Sequence, residues 1–270
     1  MTTPIAELRS AYAAQFQARS VVENYRCRPP YAPEVYATLE RLMVAPRRVL
    51  DAGCGPGKIA LGLLDAAEHI DAVDPSEEML TLARSLAGGD SGKISWICAR
   101  IEDAVLTGPY GLICAGASFH WMEAGPTLDL FARLLAPGGV LALVEGDAPA
   151  DPPWRAAELE IFSDFILRLQ GQLPNFPKSS AEQLRRPLLL HPQFEPLGAT
   201  ITAPFIVRQT LDDYLCCQHS RATWAPENMG EGMMAEFDAR LGALLAPYLE
   251  DGMLAFAVQQ RIEWGRPLGY

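Results

Sequence analysis

The sequence lacks any apolar run approaching the roughly 18 residues that a membrane-spanning helix needs. Its first twenty residues, MTTPIAELRSAYAAQFQARS, lack the charged-then-apolar order of a signal peptide and read instead as an amphipathic helix. Positive charge is also short. Lys and Arg number 22 against 33 Asp and Glu, a formal net charge of −11. The nearest approaches to a basic cluster are the pairs Arg47–Arg48 and Arg185–Arg186. Phosphate backbones are bound by clustered cations, so this balance argues against nucleic acid and anionic membranes as partners, and mildly against an acidic carrier protein. Six cysteines stand at 27, 54, 98, 114, 216 and 217, with no CxxC pair among them. That spacing suits neither a zinc site nor a disulfide framework, so no metal is expected. The cysteines read as buried thiols of a cytoplasmic protein, with Cys216 and Cys217 packed on a helix face. There is no internal repeat and no low-complexity tract.

What the chain does have is a core. Hydrophobic residues make up 49% of it and charged residues 20%, as in a globular protein. From Arg47 to Gly146, compact apolar runs alternate with helix-period segments. RRVLDA, HIDAVD, KISWICA, YGLICAG and GVLALVEG carry little polar alternation, as strands covered on both faces do. Between them, PSEEMLTLARSLAGG sets Met79, Leu82, Ala83 and Leu86 on one face, with Asp74 or Ser76 able to cap its start. GPTLDLFARLLAPGG sets Leu128, Phe131 and Leu135 on one stripe. This alternation predicts βαβ units with right-handed crossovers, hence a doubly wound α/β sheet. The expected organisation is a helical segment over 1–46, the core over 47–146, a lid over 147–198, and closing strands with inserted helices over 199–270 that complete the same domain. TITAPFIVRQ and MLAFAVQQRIEWGRP read as the closing strands. The proline-punctuated stretch between GVLALVEG and TITAPFIVRQ is too long for a plain connection, which is the reason to read it as a lid.

The segment VLDAGCGPGKIALGL carries the chemistry. A buried strand ends at Asp51 and turns through Gly53, Gly55 and Gly57 into a helix, letting the backbone approach a ligand closely. Two ligand classes compete for such a loop. Gly55-Pro56-Gly57-Lys58-Ile59-Ala60 matches the GxGxxA form of dinucleotide folds, and Asp74 stands where their ribose-binding acid belongs. A nicotinamide-dependent oxidoreductase is therefore one alternative. The phosphate-binding Walker pattern fails, because Ile59 follows Gly57-Lys58 where a hydroxyl is required.

The same segment, with others in order, resembles the class I S-adenosylmethionine-dependent methyltransferases, in particular the small-molecule group of trans-aconitate and ubiquinone-type enzymes. VLDAGCGPG is similar to their first motif, HIDAVDPSEEML to the second, and WICARIEDAVL to the segment whose backbone meets adenine. ASFHWME and LLAPGGVLALVEG are similar to the fourth- and fifth-strand motifs, and YRCRPPY to a YxxRPxY segment that precedes the core. The resemblance implies a seven-stranded sheet of order 3-2-1-4-5-7-6 with its last strand antiparallel. It also implies a small-molecule O-, N- or C-methyltransferase, with secondary metabolism as its expected setting, binding S-adenosyl-L-methionine and its product S-adenosylhomocysteine. A protein that binds this cofactor without transferring its methyl is the non-enzymatic alternative. Gly111 departs from the family, where an Asp is common.

By that resemblance, Asp51 holds the cofactor ammonium while Gly53, Cys54 and Gly55 pass beneath its methionine part. Asp74 accepts from the two ribose hydroxyls. Pro75, Met79, Ile101 and Glu102 line the adenine, Ala117 opens the fourth-strand motif against the ligand, and Tyr25 or Arg28 meets the carboxylate. Plainer readings stand beside these: Asp51 capping the glycine turn, Asp74 capping the next helix, Met79 in the core, Arg28 on the surface. Methyl displacement from a sulfonium is largely a matter of orientation and exclusion of water, so a base is needed only where the acceptor must lose a proton. His120 is the candidate base, with a pocket wall as the alternative. Phe119, Trp121, His219 and Trp224 are candidate walls of the acceptor pocket, as is Trp154.

Overall fold

The structure, a computed structural model, describes residues 19–269. Most of the helix expected over the first twenty residues lies outside them. Two compact units are present. One comprises residues 30–146, 187–203 and 260–269, and the other the described residues up to Pro29 together with 147–186 and 204–259.

The first unit is built on a seven-stranded sheet. Its strands are β1 (Arg48–Ala52), β2 (His69–Asp74), β3 (Ile94–Cys98), β4 (Tyr110–Gly116), β5 (Leu135–Glu145), β6 (Phe194–Ile201) and, last in the chain, β9 (Arg261–Pro267). Their order is β3-β2-β1-β4-β5-β9-β6. The first five run parallel, while β9 lies antiparallel to both β5 and β6. This is the expected topology, with the final strand inserted between the fifth and sixth.

The apolar runs are buried for the reason their composition implied. β1, β2 and β4 are covered on both faces, by helices such as Pro33–Leu42, Glu77–Ser85 and Ala124–Leu134. Leu50, Ile113, Leu128, Phe131 and Leu141 meet in one cluster and are fully buried. Each such side chain contributes about 1.5–3 kcal/mol relative to exposure. Asp71, buried in the middle of β2, is satisfied there: it accepts from Tyr110 Oη at 2.6 Å and Arg48 Nη2 at 3.1 Å.

Two details differ from the sequence reading. On Glu77–Ser85 the buried face is Met79, Leu80 and Ala83, while Leu86 lies outside the helix and is exposed. The helix Ala124–Leu134 ends before Leu135, which begins β5, so Pro137 and Gly138 lie within strand rather than after helix. Gly111 departs from the pattern of the resembled methyltransferases for a steric reason. A Cβ there would collide with the carbonyl oxygens of Val44 and Pro46, and no Asp could fit.

The second unit contains the helices Arg19–Tyr25, Arg155–Gln170, Ser180–Arg185, Leu211–His219 and Pro226–Leu245. It also holds a separate antiparallel pair, β7 (Phe205–Thr210) with β8 (Met253–Val258). Both expected closing strands are thereby corrected. TITAPFIVRQ breaks at Ala203–Pro204 and MLAFAVQQRIEWGRP at Gln259–Gln260, and each half joins a different unit. Proline at 204 removes a ladder donor, and the Gln260 side chain instead bonds Ala32 N and Gly146 O, so neither run continues as one strand. Trp154, Tyr214, Leu245, Leu254, Phe256 and Val258 form one apolar cluster of this unit, and Phe165, Trp224, Phe237 and Leu241 belong to another.

The cysteine reading is corrected for one pair. Cys27 and Cys216, 189 residues apart in sequence, form a disulfide within the second unit. Spacing rules detect cysteines that are close along the chain, and this pair is close only in the fold. Cys54, Cys98, Cys114 and Cys217 keep their thiols. Among the described residues no helix is long and apolar enough to cross a membrane. Nor is any group of three or more His, Cys, Asp or Glu among them arranged to hold a metal ion.

Candidate functional site

The carboxyl ends of β1, β2, β4 and β5 bring the sequence motifs together, where open α/β sheets take their ligands. Three glycines after β1 are left-handed, Gly53 at φ 68°, Gly55 at 53° and Gly57 at 76°. The turn is pinned by Gly53 N and Cys54 N, which donate to Val73 O at 2.8 and 3.0 Å. Gly53 also admits the next element: a Cβ on it would lie 2.6 Å from Ser118 Cβ. The loop after β4 therefore packs directly on the loop after β1.

Two acids frame this turn. Asp51 is 1% exposed, and its Oδ2 accepts from Ala60 N at 3.0 Å, an amide in the first turn of the helix Lys58–Gly62. Burial, offset in part by that bond and reinforced by nearby Asp74, pushes its carboxyl up to about 7. Asp74 is 9% exposed and accepts from Gly55 N at 2.8 Å and Ser76 N at 2.9 Å. Burial raises its carboxyl as well, and the two amide bonds oppose the rise. Ser76, not Asp74, caps the helix that follows, by accepting from Met79 N at 3.2 Å. Cys54 lies buried between the acids, its thiol pushed well up by desolvation and by both negative charges. Two desolvated carboxyl groups, from β1 and β2, framing one turn form a site that gains by meeting a cation.

The neighbouring segments complete the rim. Pro75 is exposed beside Asp74, whereas Met79 and Ile101 are buried in the core of the unit. Glu102, in the turn Ile101–Asp103, accepts from Glu123 N at 2.9 Å and pairs with Arg100 at 3.4 Å. Its carboxylate thus ties the β3 loop to the β4 loop. Ala117 takes a left-handed φ of 51° and donates its N–H to Val144 O at 2.9 Å. Ser118 Oγ donates to Ala52 O at 2.7 Å. Phe119 is buried in the core, Trp121 is half-buried, and their turn lifts His120 to the surface. The His120 and Trp121 ring centroids lie 4.6 Å apart.

Sequence reasoning passed over Ser118 and Glu145. Glu145 ends β5 with its Oε1 3.5 Å from His120 Nδ1. The signal that singled out Asp51 and Asp74, an acid at the end of a buried strand, was present there too.

The remaining candidates belong to the other unit. Arg28 Nε and Nη2 donate to Ser220 Oγ and Ser220 O, both at 2.8 Å, and Nη1 lies 3.5 Å from Asp147. Its guanidinium stacks 4.3 Å from the Tyr25 ring centroid. His219 is buried, with Nδ1 2.8 Å from Trp224 O and Nε2 2.7 Å from Asp238 Oδ1. Trp224 is buried and stacks on Phe237. In this structure His219 and Trp224 are interior side chains of their unit.

Comparison with known proteins agrees with the geometry. Residues 49–139 match a protein family described as a methyltransferase domain. A trans-aconitate 2-methyltransferase of Acidovorax ebreus is 40% identical over 126 residues, covering 45% of each chain. A malonyl-[acyl-carrier protein] O-methyltransferase of Anoxybacillus flavithermus is 35% identical over 91 residues, 33% of this chain and 34% of the other. The matched stretch spans less than half the length of these relatives. Among solved structures, a protein of Anaeromyxobacter dehalogenans described as a type II methyltransferase superposes with a TM-score of 0.64. The identity is 24%, with 90% of this chain and 99% of that one covered. It shares the fold.

Proposed function

We propose that this chain, whose residues 49–139 match a methyltransferase domain, is a class I methyltransferase that transfers a methyl group from S-adenosyl-L-methionine to a small-molecule acceptor. The carrying observation is the pair of buried carboxylates, Asp51 and Asp74, that frames the left-handed glycine turn. A dinucleotide would set its ribose at Asp74 but bring its pyrophosphate to the glycine turn beside buried Asp51, and like charges in a desolvated site repel strongly. A ligand carrying an ammonium and a sulfonium meets them with the right sign. The oxidoreductase alternative is disfavoured on that ground.

The cofactor supplies a methyl group already activated on a cationic sulfur. What remains for the protein is to bind, orient and exclude water. Asp51 would hold the ammonium and Asp74 the ribose hydroxyls. The backbone of Gly53, Cys54 and Gly55 would support the methionine part, with Pro75, Met79, Ile101, Glu102 and Ala117 around the adenosine. Trp121 is proposed for the acceptor pocket, and His120 as the base. Of the stretch 147–198 expected as a lid, residues 147–186 are proposed as one, on the length and proline punctuation of the stretch, since 194–198 belong to β6. A role in secondary metabolism is proposed on the resemblance alone.

Calorimetry tests the cofactor assignment. S-adenosylhomocysteine binds and NAD does not. Asp51→Asn and Asp74→Ala each lose a charge-assisted contact of about 1.5–3 kcal/mol, one to two decades of affinity. Wild-type affinity in both folded variants, or binding of NAD in place of S-adenosylhomocysteine, overturns the reading.

A further inference from the structure

We infer that Glu145 is a positioning residue that fixes the proton of His120 on Nδ1 and so presents Nε2 as the base. The inference rests on the methyl-transfer reading for its purpose, but its geometry stands apart from it. β4 and β5 pair in parallel up to Gly116 opposite Val144, so the residues that follow them emerge side by side at the site. His120 then sits in the turn Phe119–Trp121, closed by Trp121 N donating to Ser118 O and Met122 N to Phe119 O, both at 3.0 Å. That turn is anchored to β5 through Ala117 N and to β1 through Ser118 Oγ. The backbone beneath the imidazole is therefore held, and Nδ1 faces Glu145 Oε1 at 3.5 Å.

A neutral imidazole carries one N–H and one lone pair, and the partner of one nitrogen decides the state of the other. A carboxylate can only accept, so it selects the Nδ1–H tautomer and leaves the lone pair on Nε2. The pair contributes little to folding. Its side chains are 52% and 37% exposed, and exposed pairs are typically worth about 0–1 kcal/mol. What the arrangement changes is the direction in which His120 can accept a proton.

This narrows the acceptor. A nucleophile that is already an anion needs no base and would meet the negative charge of Glu145. A neutral hydroxyl fits: its O–H bond gives the proton to His120 Nε2 as the oxygen bonds to the methyl carbon, and the carbon–sulfur pair departs with sulfur. The imidazolium so formed lies beside the Glu145 carboxylate and returns its proton to water.

Nitrogen-15 NMR of the histidine rings tests this directly, with His120 assigned through the loss of its signals in His120→Gln. Above the imidazole titration, wild-type protein shows His120 protonated on Nδ1, with the downfield lone-pair resonance on Nε2. In Glu145→Ala that resonance moves to Nδ1 or averages between the two nitrogens. Glu145→Gln, whose Oε1 still accepts, restores it. S-adenosylhomocysteine affinity is unchanged in both Glu145 variants. A wild-type His120 protonated on Nε2, or an identical tautomer in wild type and Glu145→Ala, overturns the inference. Failure of wild-type protein to bind S-adenosylhomocysteine would overturn the functional reading and leave the tautomer result standing.

Discussion

Asp51 is a carboxyl whose charge is held back by its surroundings until a ligand supplies the opposite one. Burial raises it from an ordinary 3.8 to about 7. For an acid raised in the fold, the native state keeps its proton after the unfolded chain has lost it. The stability of the unliganded protein therefore falls as pH climbs from about 3.8 to about 7, then levels off. Asp51→Asn removes that slope, so the variant gains in melting temperature over wild type as pH rises through this window. Ligand binding runs the other way. An ammonium needs the ionised carboxylate, so wild-type affinity for S-adenosylhomocysteine rises with pH up to about 7, with release of a proton below that value. Calorimetry in buffers of different ionisation enthalpy reads the proton directly. A pH-independent affinity in wild type between about pH 5 and about pH 8 would contradict the role given to Asp51. The residue itself was legible, because an acid ending a buried strand before a glycine turn is a local pattern. Its second duty, accepting from Ala60 N, could be read only as an alternative until the turn was seen.

Among the elements, the strands of the parallel sheet were read nearly to the residue, and the closing strands were not. β1, β2 and β4 are buried on both faces, and unbroken apolar composition reports that condition; β3, at the sheet edge, is only half-buried. The two later runs are continuous in composition but change unit midway, at Ala203–Pro204 and at Gln259–Gln260, and hydropathy does not register which neighbour a residue pairs with. The disulfide belongs to this scale as well. It ties the segment after the helix Arg19–Tyr25 to the helix Leu211–His219. Thiol titration of the denatured, unreduced protein should find four thiols, Cys54, Cys98, Cys114 and Cys217, and six after reduction. Because the bridge closes a long loop, reduction or Cys27→Ser should cost about 2–4 kcal/mol in denaturant unfolding. Six thiols before reduction would rule out the bridge under the conditions of purification.

For the whole molecule, the expectation most open to test is that the lid responds to the ligand. Amides in 151–186 and 211–249 should exchange faster without ligand and slow when S-adenosylhomocysteine binds, since segments that close over ligands come from the less stable part of a structure. Exchange equally slow with and without the ligand would count against a lid. By itself the sequence determined the parallel α/β sheet and the glycine turn flanked by Asp51 and Asp74; the strand order with its antiparallel last strand came from the family resemblance. Those signals are carried by hydrophobic period, turn glycines and motif order, all of which lie within short stretches of chain. Only the tertiary structure decided that β6 and β7 part company, that Gly111 is steric and that Cys27 meets Cys216. It alone set Arg28 against Ser220 and Asp147, and Glu145 beside His120. Each of these depends on where the chain returns in space. Residues distant in sequence become neighbours only when burial of the apolar faces fixes the path between them, and no spacing rule records that path.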